Sequence, residues 1–289
     1  MNRSYLFVPG NNPSMIQTAD VFGADAVIFD LEDSVHVNEK DNARSLVHDY
    51  LMAHPVLPKK VVIRINAMNS PFFEADLNHV LSDRIDAILL PKARRDDIVL
   101  LKDIMKQIAS KKRLTKPVKI IALVELASSL LEVESIVAID GVEGVLFGAE
   151  DFASDMEIKR SESGEEIFYP RARIACACKA YGIEAIDTPY TDVLNDEGLI
   201  QDALKAQGLG MTGKAAIHPR HIEAIHTVFS PSKDQILWAR KVLHALKEAK
   251  DKGLGVFSLD GKMIDKPIID RAKTIIHKAQ VYGLVNQDE

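Results

Sequence analysis

Two stretches decide how this chain folds: VKIIALVE at Val118–Glu125 and VEGVLFGAED at Val142–Asp151. Each is a run of Ile, Val and Leu that closes on carboxylates, Glu125 in the first and Glu150 with Asp151 in the second. A continuous apolar run bounded by turn residues reads as a strand buried on both faces, as in a parallel sheet. Acids at the same end of two successive buried strands come close together across one rim. That is a divalent-metal site in outline.

Working outward, segments of the same kind recur along the chain. Strands are expected at Ser4–Pro9, Ala26–Glu32, Lys60–Asn66, Ala87–Lys92, Val118–Glu125, Val142–Ala149, Glu184–Tyr190 and Thr212–His218. Between them lie stretches of 3.6-residue period, among them Asp97–Ala109, Arg171–Tyr181 and Leu199–Gln207, with helix starts at Asn12-Pro13, Asp96 and Asn195. Eight β-then-α units with no long strand-free gap predict an α/β fold, a (β/α)8 TIM barrel over residues 1–230. A doubly wound open sheet is the rival, but no G-x-G-x-x-G follows the first strand. The polar stretch Ser154–Tyr169 reads as a long loop on the functional rim.

Past Ser230-Pro231 the pattern changes. Residues 231–289 read as a C-terminal helical and lid extension, with a helix over Lys233–Lys252, a short segment Val256–Leu259, a turn at Asp260-Gly261 and a last helix from about Pro267. So short a tail builds little core alone and is expected to dock on a barrel, its own or a neighbour's.

Composition narrows the function. The chain has 289 residues, 47% hydrophobic and 27% charged, with a formal net charge of −6. No basic stripe marks a nucleic-acid partner, and Lys111-Lys112-Arg113 reads as a solvated loop. No run approaches a membrane span, and Tyr5–Val8 is too short for a signal segment. Cys176 and Cys178 are too few for a disulfide framework or a zinc site and read as packing residues in a reducing cytoplasm.

In a barrel of this kind the chemistry sits at the C-terminal strand ends. Those ends carry Pro9-Gly10, Asp30/Glu32/Asp33, Arg64/Asn66, Lys92, Glu125, Glu150/Asp151, Asp187 and His218. Glu125 and Asp151 read as metal ligands, or one of them as the ion-pair partner of Arg64. With no His or Cys beside them, an all-oxygen set favours Mg2+ over zinc. Arg64, emerging from the apolar VVIR run, needs an anion and suits a bidentate clamp on a substrate carboxylate or carbonyl oxygen. Glu32 and Asp33 are open between metal-bound water, positioning Arg64 or Lys92, and turn capping. Asp265 in GKMIDKP reads on its surroundings as the N-cap of the last helix, with a proton-transfer role on a mobile loop as the alternative.

The segments SYLFVPGNNPSM, VIFDLEDSV followed by EKDNAR, VVIRIN, LLPK, ALVE, FGAEDF and LDGKMIDKPIIDRA together resemble the citrate lyase β subunit and its relatives. These are citrate-lyase-like members of the HpcH/HpaI aldolase group, which includes citramalyl-CoA and malyl-CoA lyases. The resemblance spans about residues 3–282. It implies a TIM barrel whose C-terminal extension covers a neighbour's site in a homotrimer, Mg2+ on Glu125 and Asp151, and substrate on Arg64 and Glu125. It further implies Asp265 as a catalytic acid/base and Arg3 as a contact to the thioester carrier. The reaction it implies is cleavage of a 3-hydroxy-3-carboxyacyl thioester, citryl-CoA or citryl-carrier protein, to an acetyl thioester and a 2-oxo acid. A stand-alone citramalyl-CoA lyase, a malyl- or citramalyl-CoA thioesterase, and an assembly subunit without catalysis are the alternatives. The stretch Gly213–Ile222, GKAAIHPRHI, departs from the GKS-x-INPRQI of citrate lyase β subunits, and Phe152–Met156 departs from their YVRN-like run. Both departures weaken the case for an acyl carrier protein partner.

Overall fold

A computed structural model describes residues 1–54, 57, 59–251, 257–259 and 262–286. Eight parallel strands close into a barrel in sequence order. They are β1 (Ser4–Pro9), β2 (Ala26–Asp30), β3 (Lys60–Arg64), β4 (Ala87–Leu90), β5 (Lys119–Val124), β6 (Val142–Phe147), β7 (Glu184–Asp187) and β8 (Gly213–Ala216). The connecting helices are α1 (Pro13–Thr18), α2 (Lys40–Ala53), α3 (Phe73–Val80), α4 (Arg95–Lys112), α5 (Ala127–Leu131), α6 (Val133–Val137), α7 (Ala149–Asp155), α8 (Phe168–Tyr181), α9 (Asp196–Gly208) and α10 (Ile222–Phe229). The expected TIM barrel is therefore the observed one. Among the described residues no helix is long and apolar enough to cross a membrane.

The chain divides into two compact units, Asn2–His226 and Thr227–Glu289 with Met1. In the second, α11 (Lys233–Asp251) and α12 (Lys266–Val281) pack with a hairpin of β9 (Phe257–Leu259) and β10 (Lys262–Ile264). Its core gathers Ala239, Val242, Ile264 and Ala272, with the Arg271 guanidinium 4.6 Å from the centre of the Trp238 ring. The expected turn at Asp260-Gly261 lies outside the described residues.

The strand period of two positions the barrel's chemistry. Tyr5, Ala26, Ile28, Val62, Ala87, Leu89, Ile121, Leu123, Leu146, Ile186 and Ala215 form one buried cluster to which every strand contributes, which is the barrel interior. Counting two residues onward from its upper members reaches Asp30, Arg64, Glu125, Gly148, Thr188 and Ile217. All six line one cleft at the C-terminal end of the strands. The neighbours in sequence have the opposite parity and face the helices.

Every expected strand is present, but most end early. Val142–Ala149 stops at Phe147, and Gly148 becomes the N-cap of α7, so Glu150 and Asp151 ride on the first turn of a helix. Likewise Ser154–Tyr169 is not all loop: Ser154-Asp155 close α7 and Phe168-Tyr169 open α8. An apolar run does not reveal where its last ladder hydrogen bond falls.

Candidate active site

The cleft has a volume of about 280 Å3, and Phe7, Met15, Leu123 and Leu146 are among its apolar walls. Glu125 sits at its base, 2% exposed. The backbone N–H of Lys92 donates to Glu125 Oε1 at 2.7 Å. Lys92 takes a left-handed φ of 51°, which aims that N–H into the cleft while the side chain stays exposed. The ammonium of Lys92, expected among the rim charges, thus yields to its main chain.

Gly148 is the second fixed point. A Cβ there would lie 2.8 Å from the Glu125 Cβ and 2.9 Å from its Oε2, so only glycine lets the carboxyl group lie against β6. The Glu125 carboxyl is hydrogen-bonded to that of Asp151. Burial, with the nearby charges of Glu32 and Asp151, pushes Glu125 up to about 8. Two carboxyl groups this close must share either a proton or a cation.

Arg64 stands across the cleft, and its register partner on β2 is Asp30. The two form a fork-to-fork pair, Nε to Oδ1 and Nη2 to Oδ2, both at 2.7 Å. Burial works against both charges, but each outweighs it for the other, holding Asp30 below the usual carboxylate range and Arg64 above its own. The remaining Arg64 nitrogen, Nη1, lies 3.1 Å from Asp33 Oδ2 and 3.2 Å from Glu32 Oε2, and the guanidinium is 5.1 Å from the Phe7 ring centre. The partner of Arg64 is therefore neither Glu125 nor Asp151, and its bidentate edge is already taken by Asp30.

The loop carrying Glu32 is strapped from behind. Lys40 Nζ donates to the carbonyls of Leu31 at 2.8 Å and Glu32 at 2.6 Å, and Asn66 Nδ2 donates to Leu31 O at 2.9 Å. Asp76, buried and paired with Arg44, takes the Asn66 backbone N–H at 2.9 Å. The EKDNAR segment supplies both Lys40 and Arg44, so it is a brace for the loop. Glu32 itself is pushed up to about 7, chiefly by burial, and its Oε2 makes no hydrogen bond.

This donor set fits a hard divalent cation. Oxygen donors dominate, carboxyl groups outnumber the ammonium and guanidinium groups, and the buried Glu32 Oε2 has only the ion-pair contact to Arg64 and no hydrogen bond. Among the described residues no group of three His, Cys, Asp or Glu side chains is already gathered for a metal.

Not every expected residue joins the cleft. Arg3 precedes β1, at the N-terminal end of the barrel, and grips Asp25 through Nε at 2.9 Å and Nη2 at 2.8 Å. Asp187, also expected on the rim, has the helix-facing parity and is fully buried against Arg171 and Lys214. His218 takes the Arg220 N–H at 3.2 Å and opens the short turn of Pro219–His221. Asp265 is the N-cap of α12, its Oδ1 accepting from Ile268 N at 3.3 Å, and it is exposed. Gly148 and Thr188 have no charge to advertise them; strand parity alone finds them.

A closed parallel barrel with a layer of acids and one arginine across its C-terminal mouth defines a TIM-barrel enzyme. Residues 3–219 match the family of HpcH/HpaI aldolase/citrate lyase. The chain is 36% identical over 293 residues to the citrate lyase subunit beta of Leuconostoc mesenteroides, covering 100% of this chain and 96% of that protein. It is 30% identical over 286 residues to the mitochondrial citramalyl-CoA lyase of Rattus norvegicus, covering 95% and 85%. Its structure superposes on the CitE protein of Mycobacterium tuberculosis, in complex with magnesium, acetoacetate and coenzyme A, with a TM-score of 0.78 and 30% identity over 96% and 98% of the two chains. The chain belongs to the HpcH/HpaI aldolase/citrate lyase family, and is a carbon–carbon lyase of its citrate lyase β and citramalyl-CoA lyase branch.

Proposed function

We propose that this chain cleaves a 3-hydroxy-3-carboxyacyl thioester of the citryl or citramalyl type into an acetyl thioester and a 2-oxo acid. Glu125 and Asp151 would hold Mg2+, which when bound would supply Lewis-acid polarisation of the substrate. The hydroxyl proton passes to a carboxylate of the cleft as the carbon–oxygen bond becomes a carbonyl, and the carbon–carbon bond breaks with its electron pair moving onto the thioester. Arg64, fixed by Asp30, puts a permanent positive charge beside the oxygens where that charge develops. Asp265 returns a proton to the acetyl carbon. The apolar walls of the cleft exclude water from this exchange.

The observation that carries the reading is Glu125: a carboxyl group 2% exposed, braced by Lys92 N–H and facing Asp151. The magnesium and coenzyme A held by the Mycobacterium tuberculosis relative support it. Higher identity to citrate lyase β subunits favours a citryl thioester, whereas the GK-x-x-IHP form of Gly213–Pro219 favours a stand-alone CoA enzyme. The proposal extends to a cytoplasmic homotrimer in which Asp265 serves a neighbour's cleft.

Product analysis with purified protein, Mg2+ and citramalyl-CoA, citryl-CoA or malyl-CoA tests it. Pyruvate with acetyl-CoA from citramalyl-CoA, or oxaloacetate with acetyl-CoA from citryl-CoA, supports carbon–carbon cleavage and names the substrate. Free CoA without acetyl-CoA marks a thioesterase and overturns it. If all three CoA thioesters stay intact, the outcome favours a citryl thioester on an acyl carrier protein or an assembly subunit without catalysis, and overturns a CoA lyase.

A further inference from the structure

We propose that Thr188, anchored by Lys214, is a positioning residue that sets the metal-holding turn of α7. The inference rests on the assignment of a divalent cation to Glu125 and Asp151. Asp151 lies in the first turn of a helix whose N-cap is Gly148, a residue with no side chain to satisfy the turn's free N–H groups. The cap comes instead from the residue that follows β7: Thr188 Oγ1 accepts from Ala149 N at 3.2 Å. Thr188 is 1% exposed and lines the cleft.

Thr188 is itself held from behind. Its carbonyl accepts from Lys214 Nζ at 2.7 Å. The same ammonium donates to Asp187 Oδ2 and Asp202 Oδ2, both at 2.6 Å, so its three protons are all committed. Arg171 completes the set, donating to Asp187 from Nε at 2.7 Å and from Nη2 at 3.0 Å, and to Asp202 Oδ1 at 2.8 Å. Lys214 and Asp187 are 0% exposed, Arg171 1% and Asp202 6%. Two cations and two anions buried beside the barrel are no more stabilising than apolar side chains of similar volume. What they supply is direction. A saturated ammonium has no freedom to turn, and the carbonyl it holds fixes the backbone position from which the Thr188 hydroxyl reaches α7. The lysine of the GK motif thereby acts on the cleft without touching it.

Thr188→Val removes the hydroxyl and keeps the shape, and Thr188→Ser restores it. Mn2+ stands in for Mg2+ as a paramagnetic probe of binding, read in the absence of substrate. Residues that orient metal ligands typically change affinity by about 10–100-fold. Thr188→Val is expected to bind Mn2+ at least about tenfold more weakly at an unchanged metal-free melting temperature, with Thr188→Ser within about threefold of wild type. Wild-type affinity in Thr188→Val, or loss of its fold, overturns the positioning role. Absence of Mn2+ binding by the wild type itself overturns the metal assignment beneath it, and is distinguished by being seen before any substitution is made.

Discussion

Lys92 and Glu125 meet backbone to side chain, the N–H of Lys92 2.7 Å from Oε1 of Glu125. The contact requires the left-handed φ of 51° at Lys92, a conformation that costs a non-glycine residue about 1 kcal/mol or more. The strain sits where β4 hands the chain to the cleft, and what it supplies is the orientation of one carboxyl group. Lys92→Gly keeps the N–H and relieves the strain. It is expected to leave the melting temperature unchanged or higher and Mn2+ affinity within about twofold, since metal affinity here follows the backbone contact. A large loss of affinity would instead assign a role to the exposed ammonium.

Gly148→Ala tests the other wall of the same carboxyl group. The new Cβ meets the Glu125 side chain at 2.8 and 2.9 Å and Leu123 Cδ1 at 3.3 Å, so it is accommodated only by moving Glu125. Overpacking of this kind costs about 1–3 kcal/mol. A urea unfolding midpoint lowered accordingly, together with weakened Mn2+ binding, is the expected outcome. A variant that loses stability but binds Mn2+ normally would show that Glu125 is not a ligand.

Protons and the metal compete for the same oxygens. Glu125 is raised from an ordinary 4.5 to about 8 and Glu32 from 4.5 to about 7. Between pH 4.5 and these values the folded, metal-free protein holds protons that the unfolded chain has released, so its stability falls as pH rises through that window, by up to about 1.4 kcal/mol per pH unit for each group. A cation binds the ionised forms and removes the penalty. Melting temperatures measured with and without Mg2+ are therefore expected to diverge as pH rises from about 5 to about 8. A constant gap across that range would contradict the account.

Parity explains what was legible beforehand. The eight strands and their order followed from apolar runs separated by helical periods, and Arg64, Glu125 and Asp151 were readable as a charged rim. Asp187 lies at a strand end yet off the rim, because Ile186 faces the barrel interior and its neighbour must face the helices. Asp30 went unpaired for a related reason: its match with Arg64 is a register fact of two strands, invisible until they are aligned. Arg3 is on the far side of a strand from the cleft, which its place before β1 implies.

Asp265 separates capping from catalysis. As N-cap of α12 it accepts from Ile268 N, and Asn caps about as well as Asp. Asp265→Asn is expected to keep the melting temperature and Mn2+ affinity while lowering turnover at least about a hundredfold, in line with loss of a general acid/base. Turnover equal to wild type would leave Asp265 as a cap alone.

The most direct test of the central claim is a Mn2+ titration of Asp151→Asn against the wild type, followed by electron paramagnetic resonance without substrate. One site per chain in the wild type, with affinity lowered at least about tenfold in the variant and an unchanged fold, is the predicted result. Equal binding by the two proteins would mean that the carboxyl pair of Glu125 and Asp151 is not where the ion is held.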